Sequence, residues 1–498
     1  MLDVMVIGGG INGVGIAADL AGRGLRVCLA EKKDFASATS SWSSKLIHGG
    51  LRYLEHYEFR LVREALAERE VLLHNAPHLI KPMRFVLPHQ RHLRPIWLIA
   101  MGLFLYDRIG GSSVLPKTRY RKFNENSPLH PTIQRGFEYS DCTVDDARLV
   151  IANAILAREK GAEIINYTSC TRAKREGDHW LVELETAAGQ KLIRRAKALV
   201  NATGPWAQTF IESKLQQKSP RRVRLIKGSH MIVPRLYRES HAYILQNEDK
   251  RIVFVIPYQD HFSLIGTTDT EYQGDPSQAS MDVVERDYLL DIIRRHFKTT
   301  ITNEQIVHHF SGVRPLCDDE SADPSAITRD YTLEVEDKDG KLPLLSIFGG
   351  KITTYRKLSE AACLKLKPYF PNMGKSWTRK QFLPGGDIHP TDLHTQLAQT
   401  HAWIPDGLRK RWIDSYGSLC LQWLKNCNSI EDLGPILCTN LYESELRYLM
   451  HNEWAITAED VLWRRSKLGL ITPPGEQLRV EAAMTQMGIT GAYMPSSK

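Results

Sequence analysis

Gly8, Gly10 and Gly13 stand at the spacing GxGxxG, within GGGING at positions 8–13. In such a turn the first glycine permits a tight bend. The second lets the backbone approach a pyrophosphate, and the third lets helix and strand pack closely. Glu31 follows about 20 residues on, where a carboxylate accepts hydrogen bonds from an adenosine ribose. Two further apolar segments end in glycine-containing turns, at Thr203-Gly204 and at Gly349-Gly350. In a parallel sheet, ligands collect at the carboxyl ends of strands. Three such ends around one ligand point to an extended, deeply held cofactor, which favours FAD over NAD.

The elements that must hold these residues are legible around them. Leu2 to Ile7 (LDVMVI) reads as a short buried strand. Val14 to Arg23 has a helical pattern, and Arg26 to Ala30 reads as a second strand ending at Glu31. Ser37 to Ser44 is rich in Ser, Thr and Ala and reads as loop. Helical patterns cover Tyr57 to Leu73, Asp145 to Lys160 and Met281 to Phe297. Strand-like segments recur from Glu163 to Gly204, from Arg224 to Thr270 and at Leu344 to Phe348. Leu383-Pro384-Gly385-Gly386-Asp387 reads as a linker. The chain beyond it is helical and tryptophan-rich, with Thr457 and Asp460 placed as a capping box and the tryptophans read as core.

The expected fold class is therefore α/β, with a Rossmann-like FAD-binding domain, an antiparallel-sheet substrate domain and a C-terminal α-helical cap. The first is discontinuous, made of 1–75 with 141–205 and 340–382. The second comprises 76–140 with 206–339, and the third 387–498.

A chain of 498 residues predicts two or three domains, and 42% apolar with 24% charged residues is ordinary for a globular protein. The net charge of +8 suits an anionic substrate or an acidic membrane surface. Without a concentrated basic stripe it gives no support for nucleic acid; the densest run, Arg221 to Arg224, reads as a solvated turn before a strand. Eight scattered cysteines with no CxxC predict reduced, mostly buried thiols, and no metal site is expected. The strand starting near residue 3 leaves no room for a signal peptide. The longest uncharged apolar run, Ile96 to Tyr106, would form a helix about 17 Å long, against about 30 Å of hydrocarbon. Its basic flanks (Arg91, His92, Arg94, Arg108) and aromatic ends (Trp97, Tyr106) fit a segment dipping into one leaflet. An ordinary buried helix fits the same residues equally well.

Six further stretches carry a family likeness: SSKLIHGGLRYLEH (43–56), NATGPW (201–206), LIKGSH (225–230), FSGVRPLCDDE (310–320), AITRDYTL (326–333) and FGGKITTYRKL (348–358). With WRRSKLGL (463–470) beyond them, the chain resembles the aerobic, FAD-dependent glycerol-3-phosphate dehydrogenases. The resemblance implies a fold like that of D-amino-acid oxidase. It also implies oxidation of sn-glycerol 3-phosphate to dihydroxyacetone phosphate, by hydride transfer from C2 to flavin N5. Electrons would pass to ubiquinone or menaquinone, from a homodimer peripheral on the cytoplasmic face of the bacterial inner membrane. An oxidase of the same substrate, using oxygen, would share every motif.

The resemblance also implies site residues. Arg52, Tyr53, Arg314 and Arg329 match substrate positions, and a guanidinium fork suits a phosphate dianion. His230, Arg314 and Lys351 match catalytic ones. Imidazole is a natural proton acceptor near neutral pH, and a lysine can hold negative charge on a reduced ring. Which group is the base stays open between His230, Lys351 and another. Cofactor contact is implied for Asn12, Ser41, Ser44, Lys45, Leu46 and His48, beside Gly8, Gly10, Gly13 and Glu31. It is implied likewise for Gly204, Gly350, Lys351 and Thr353.

Overall fold

The structure, a computed structural model, describes residues 1–111, 113–317 and 330–488, and of His56 the backbone alone. Strand β1 (Leu2–Ile7) is buried from Asp3 onward, as expected of a strand with parallel neighbours on both sides. Helix α1 (Ile11–Gly22) follows the glycine turn, and β2 (Val27–Ala30) returns parallel to β1. The strand Lys191–Asn201 lies on the other side of β1, also parallel. Lys341–Phe348 lies parallel beyond that. The three segments that end in glycine-containing turns are thus adjacent parallel strands, with their carboxyl ends on one edge.

Among the described residues this sheet has eight strands and a second has ten. Thr332–Lys338 pairs with Lys341–Phe348 in the first sheet, so the expected boundary at 339 falls too late. In the second sheet the long strand Val223–Pro234 runs antiparallel to His308–Cys317 and to Phe262–Gly266. The register sets His230 opposite both Phe310 and Gly266, and Ile226 opposite Arg314.

Helix α2 (Phe59–Asn75) packs its Val62 and Leu66 inward. Helix α3 (Ile96–Ile109) spans the uncharged run. It buries only Leu103 and Tyr106, while Trp97, Met101 and Phe104 are 65%, 56% and 57% exposed. The ordinary buried helix is thereby excluded. Among the described residues no helix is long and apolar enough to cross a membrane.

The C-terminal helices Asp406–Tyr416, Glu443–Asn452 and Pro474–Gln486 enclose a separate core around Trp412, Tyr416 and Leu449. The tryptophans serve as core there, as expected. Thr457 and Asp460 exchange the expected reciprocal bonds, opening a π-helical turn at Asp460–Arg465. The stretch 383–387 is no loose linker: the Leu383 amide donates to the Asn75 carbonyl at 2.8 Å, and Leu383, Gly385 and Gly386 are buried. None of the eight cysteines forms a disulfide among the described residues, and most are buried.

Candidate active site

Gly13 must be glycine because α1 starts against the turn that precedes it. A methyl group there would lie 1.9 Å from the Gly8 carbonyl oxygen. That closeness brings the amino end of α1 to the edge where the three strands finish, and the unpaired N–H groups of a helix start favour anions. The Ile11 amide donates to Ser40 Oγ at 3.0 Å, and Asn12 Nδ2 donates to the Gly349 carbonyl at 3.3 Å. Asn12 Oδ1 is buried with no partner among the described residues. Glu31 accepts the Gly9 amide at 2.6 Å and the Lys33 amide at 2.9 Å, and enclosure raises its carboxyl above the ordinary range.

Gly8, Gly10, Glu31 and Ser40 border a cavity of about 530 Å³. Gly8, Gly10 and Glu31 line one wall, Thr203, Gly204 and Trp206 another, and Trp42 and Phe310 close the far side. Lys32 Nζ lies 4.0 Å from the Trp206 ring centroid. Backbone donors at a helix start and a carboxylate at ribose distance along the chain, beside this cavity, form a donor set that fits FAD.

One loop gathers the rest. Along 37–56, Thr39 Oγ1 donates to the Val313 carbonyl at 2.7 Å, tying the loop to the strand that carries Arg314. Ser44 Oγ meets His230 Nε2 at 3.0 Å. The His48 amide donates to Thr353 Oγ1 at 3.3 Å, which brings in the turn that follows Gly350. Arg52 and Tyr53 sit on the 3-10 turn Leu51–His56 at the end of the loop, and Lys351 Nζ lies 3.8 Å from the Tyr53 ring centroid.

His230 is buried, its ring stacked on Phe310 at 5.0 Å between centroids. A methyl group on Gly266 would lie 2.3 Å from its Cδ2, so that strand position leaves room for the imidazole alone. Burial first, and then the nearby Arg314 and Lys45 charges, depress its pKa to about 3, so the ring is neutral at working pH. Arg314 is held by Asp269 and by Thr267 Oγ1 at 3.3 Å.

The structure therefore brings His230 and Arg314 to Ser44 at one part of the loop, and Lys351 to Tyr53 at another. The Lys45 ammonium is engaged elsewhere: it is buried and donates to Asp146 Oδ1 and the Ser41 carbonyl, both at 2.9 Å. Leu46 is buried beside it, in a two-residue strand of the second sheet. Arg329 lies outside the described residues. Sequence reasoning missed Ser40, Phe310 and Asp269. The Ser/Thr richness of 37–44 signalled Ser40, whereas Phe310 and Asp269 become visible only once the strand register is known.

Two family models match the chain. One, described as FAD dependent oxidoreductase, covers residues 3–356; the other, described as the C-terminal domain of alpha-glycerophosphate oxidase, covers 376–489. The glycerol-3-phosphate dehydrogenase of Pseudomonas aeruginosa is 58% identical, over 96% of this chain and 94% of its own. The D-erythritol 1-phosphate dehydrogenase of Brucella abortus is 50% identical, over 93% and 94%. Among solved structures, the glycerol-3-phosphate dehydrogenase from Bacillus halodurans complexed with FAD is similar in fold, with a TM-score of 0.73 and 24% identity, over 100% of this chain and 97% of that one.

Proposed function

Because this chain belongs to the FAD dependent oxidoreductase family, and within it to the glycerol-3-phosphate dehydrogenases, we propose that it oxidises sn-glycerol 3-phosphate to dihydroxyacetone phosphate. The observation that carries the reading is the single loop, 37–56, that ties the start of α1 to His230, Arg314, Tyr53 and Lys351.

FAD, when bound, supplies the two-electron acceptor for the C2 hydride, and a quinone receives the electrons afterwards. The protein supplies the remainder. Arg52, Arg314 and Arg329 bind the phosphate dianion through paired, charge-assisted hydrogen bonds. Neutral His230 accepts the hydroxyl proton, relayed through Ser44 Oγ, which lies 3.0 Å from its Nε2. Lys351, over the Tyr53 ring, keeps positive charge where the reduced ring gains negative charge.

Anaerobic addition of glycerol 3-phosphate bleaches the visible flavin band; a band left intact overturns the reading. The erythritol phosphate relative makes the longer polyol phosphate the necessary comparison, and we expect the larger kcat/KM for glycerol 3-phosphate. The oxidase domain matched at 376–489 favours a second reading, in which oxygen is the acceptor. Turnover with a quinone analogue that greatly exceeds peroxide formation separates the two.

The outward face of α3, with Trp97, Met101 and Phe104 exposed beside Arg91, Arg94 and Arg108, supports a peripheral site on the cytoplasmic face of the bacterial inner membrane. There a lipid-dissolved quinone is within reach. A homodimer rests on the family likeness, and sedimentation tests it.

A further inference from the structure

Asp34, three residues past the ribose carboxylate, is fully buried and accepts from two consecutive arginines of the C-terminal domain. Arg465 Nη1 and Nη2 donate to its two oxygens at 2.6 and 2.8 Å, and Arg464 Nε donates at 2.5 Å. Arg465 also donates to the Glu453 carbonyl at 2.7 Å, and Arg464 to Asp460. Tyr167 donates to Asp460 at 2.8 Å, and Asn166 Nδ2 donates to the Trp454 carbonyl at 2.9 Å. Beside the cluster, Phe35 meets the Trp454 ring edge to face at 5.4 Å.

The segment so gripped is the one that closes on the glycine turn. The Glu31 carboxylate accepts the Gly9 amide, and the Ala36 amide donates to the Gly9 carbonyl at 3.2 Å. Glu459, paired with Arg464 Nη1 at 2.7 Å, itself borders the cofactor cavity.

A buried network of this kind is weak evidence for net stability, because desolvation of the charges offsets most of their attraction. Its geometric effect is specific: two forks fix one carboxylate, and through it the strip 31–36.

We propose that Arg464 and Arg465 are positioning residues for the cofactor, making the C-terminal domain a clasp on the adenosine half of FAD. This rests on the FAD reading above and assigns a task to the arginine pair of WRRSKLGL. The clasp acts on affinity and release of the cofactor, and not on the reducing step.

The experiment compares wild type with Arg464→Gln, Arg464→Lys, Asp34→Asn and Glu459→Gln. It measures FAD release from the native holoenzyme, and binding of ADP and of FMN to the apoenzyme. Arg464→Gln and Asp34→Asn are expected to speed FAD release tenfold or more and to weaken ADP by the same factor, leaving FMN unchanged. Arg464→Lys should recover part of the loss. Combining Arg464→Gln with Asp34→Asn should give less than the product of the two effects, since the Arg464–Asp34 contact is lost in both. Anaerobic flavin reduction of FAD-saturated Arg464→Gln should stay within twofold of wild type. Glu459→Gln, at an exposed site that does not threaten folding, should speed release about threefold. Unchanged release in Glu459→Gln, or ADP and FMN weakened alike, overturns the clasp. So does a fall in thermal stability with FAD affinity intact. A wild-type protein that binds no FAD would instead overturn the cofactor reading.

Discussion

Replacing His230 by Gln removes the proposed proton acceptor while keeping a polar side chain against Ser44 and Phe310. Loss of a general base costs about 10²–10⁴ in rate, or about 3–5 kcal/mol of transition-state stabilisation. FAD content should not change, because the ring touches the substrate half of the loop and not the glycine turn. The pH dependence is the sharper readout. With a pKa near 3 in the free protein, His230 is already neutral where an ordinary histidine would be charged, so kcat/KM should show no inflection near 6.5 from this residue. Arg314 is the second cause of that depression. A bound phosphate dianion offsets the Arg314 charge and lifts the His230 pKa in the complex. The acid limb of kcat should therefore lie above that of kcat/KM, and His230→Gln should abolish this separation. Steady-state turnover with an artificial acceptor across pH 4.5–8 gives both quantities, and the expected pattern is an acid limb in kcat with none from this residue in kcat/KM. Reduction by His230→Gln within about threefold of wild type, or an unaltered acid limb, would remove His230 from the proton-transfer step.

Four further outcomes follow from the packing. Gly13→Ala sets a methyl 1.9 Å from a backbone carbonyl that cannot yield, so FAD affinity should fall at least a hundredfold; fluorescence titration checks it. Tyr106→Phe deletes the hydroxyl that accepts the Gly49 amide at 2.9 Å and donates to Asp141 at 2.7 Å. We expect about 1–3 kcal/mol lost in denaturant unfolding. Burial holds His78 and His230 at about 3, and His241 and His308 at about 4. Their folded pKa values lie below the unfolded value, so the unfolded chain binds protons first as pH falls. Stability is full above about 6.5 and declines below it, by up to about 1.4 kcal/mol per pH unit for each residue, as chemical denaturation between pH 7 and 5 would show. Trp97→Ser with Phe104→Ser should reduce sedimentation with anionic vesicles at low salt while leaving flavin reduction in solution unchanged.

How far the site could be read in advance depended on the range of each interaction. The glycine turn, Glu31 and the three strand ends were visible because a βαβ unit is a local pattern, and parallel pairing then follows from right-handed crossover connections. His230 carried no local sign of its depressed pKa; that arises from Phe310, Gly266 and Arg314, which reach it only through strand register. Lys45 shows the reverse limit. It stands among site residues in the chain, yet its ammonium turns to Asp146, 101 residues away. The stretch 383–387 has the composition of a tether but is packed tight, because the Asn75 carbonyl accepts its amide.

The cofactor cavity is lined at the ends of the strands that finish at residues 7 and 201, and at its border by Glu459. A nascent chain leaving the ribosome at about 5–20 residues per second holds the glycine turn within its first moments. It has no complete pocket until roughly nine-tenths of synthesis is done. Early β1 must meanwhile wait with an unpaired edge, so cofactor loading is a late event. Any truncation before the last helices should yield protein that stays colourless.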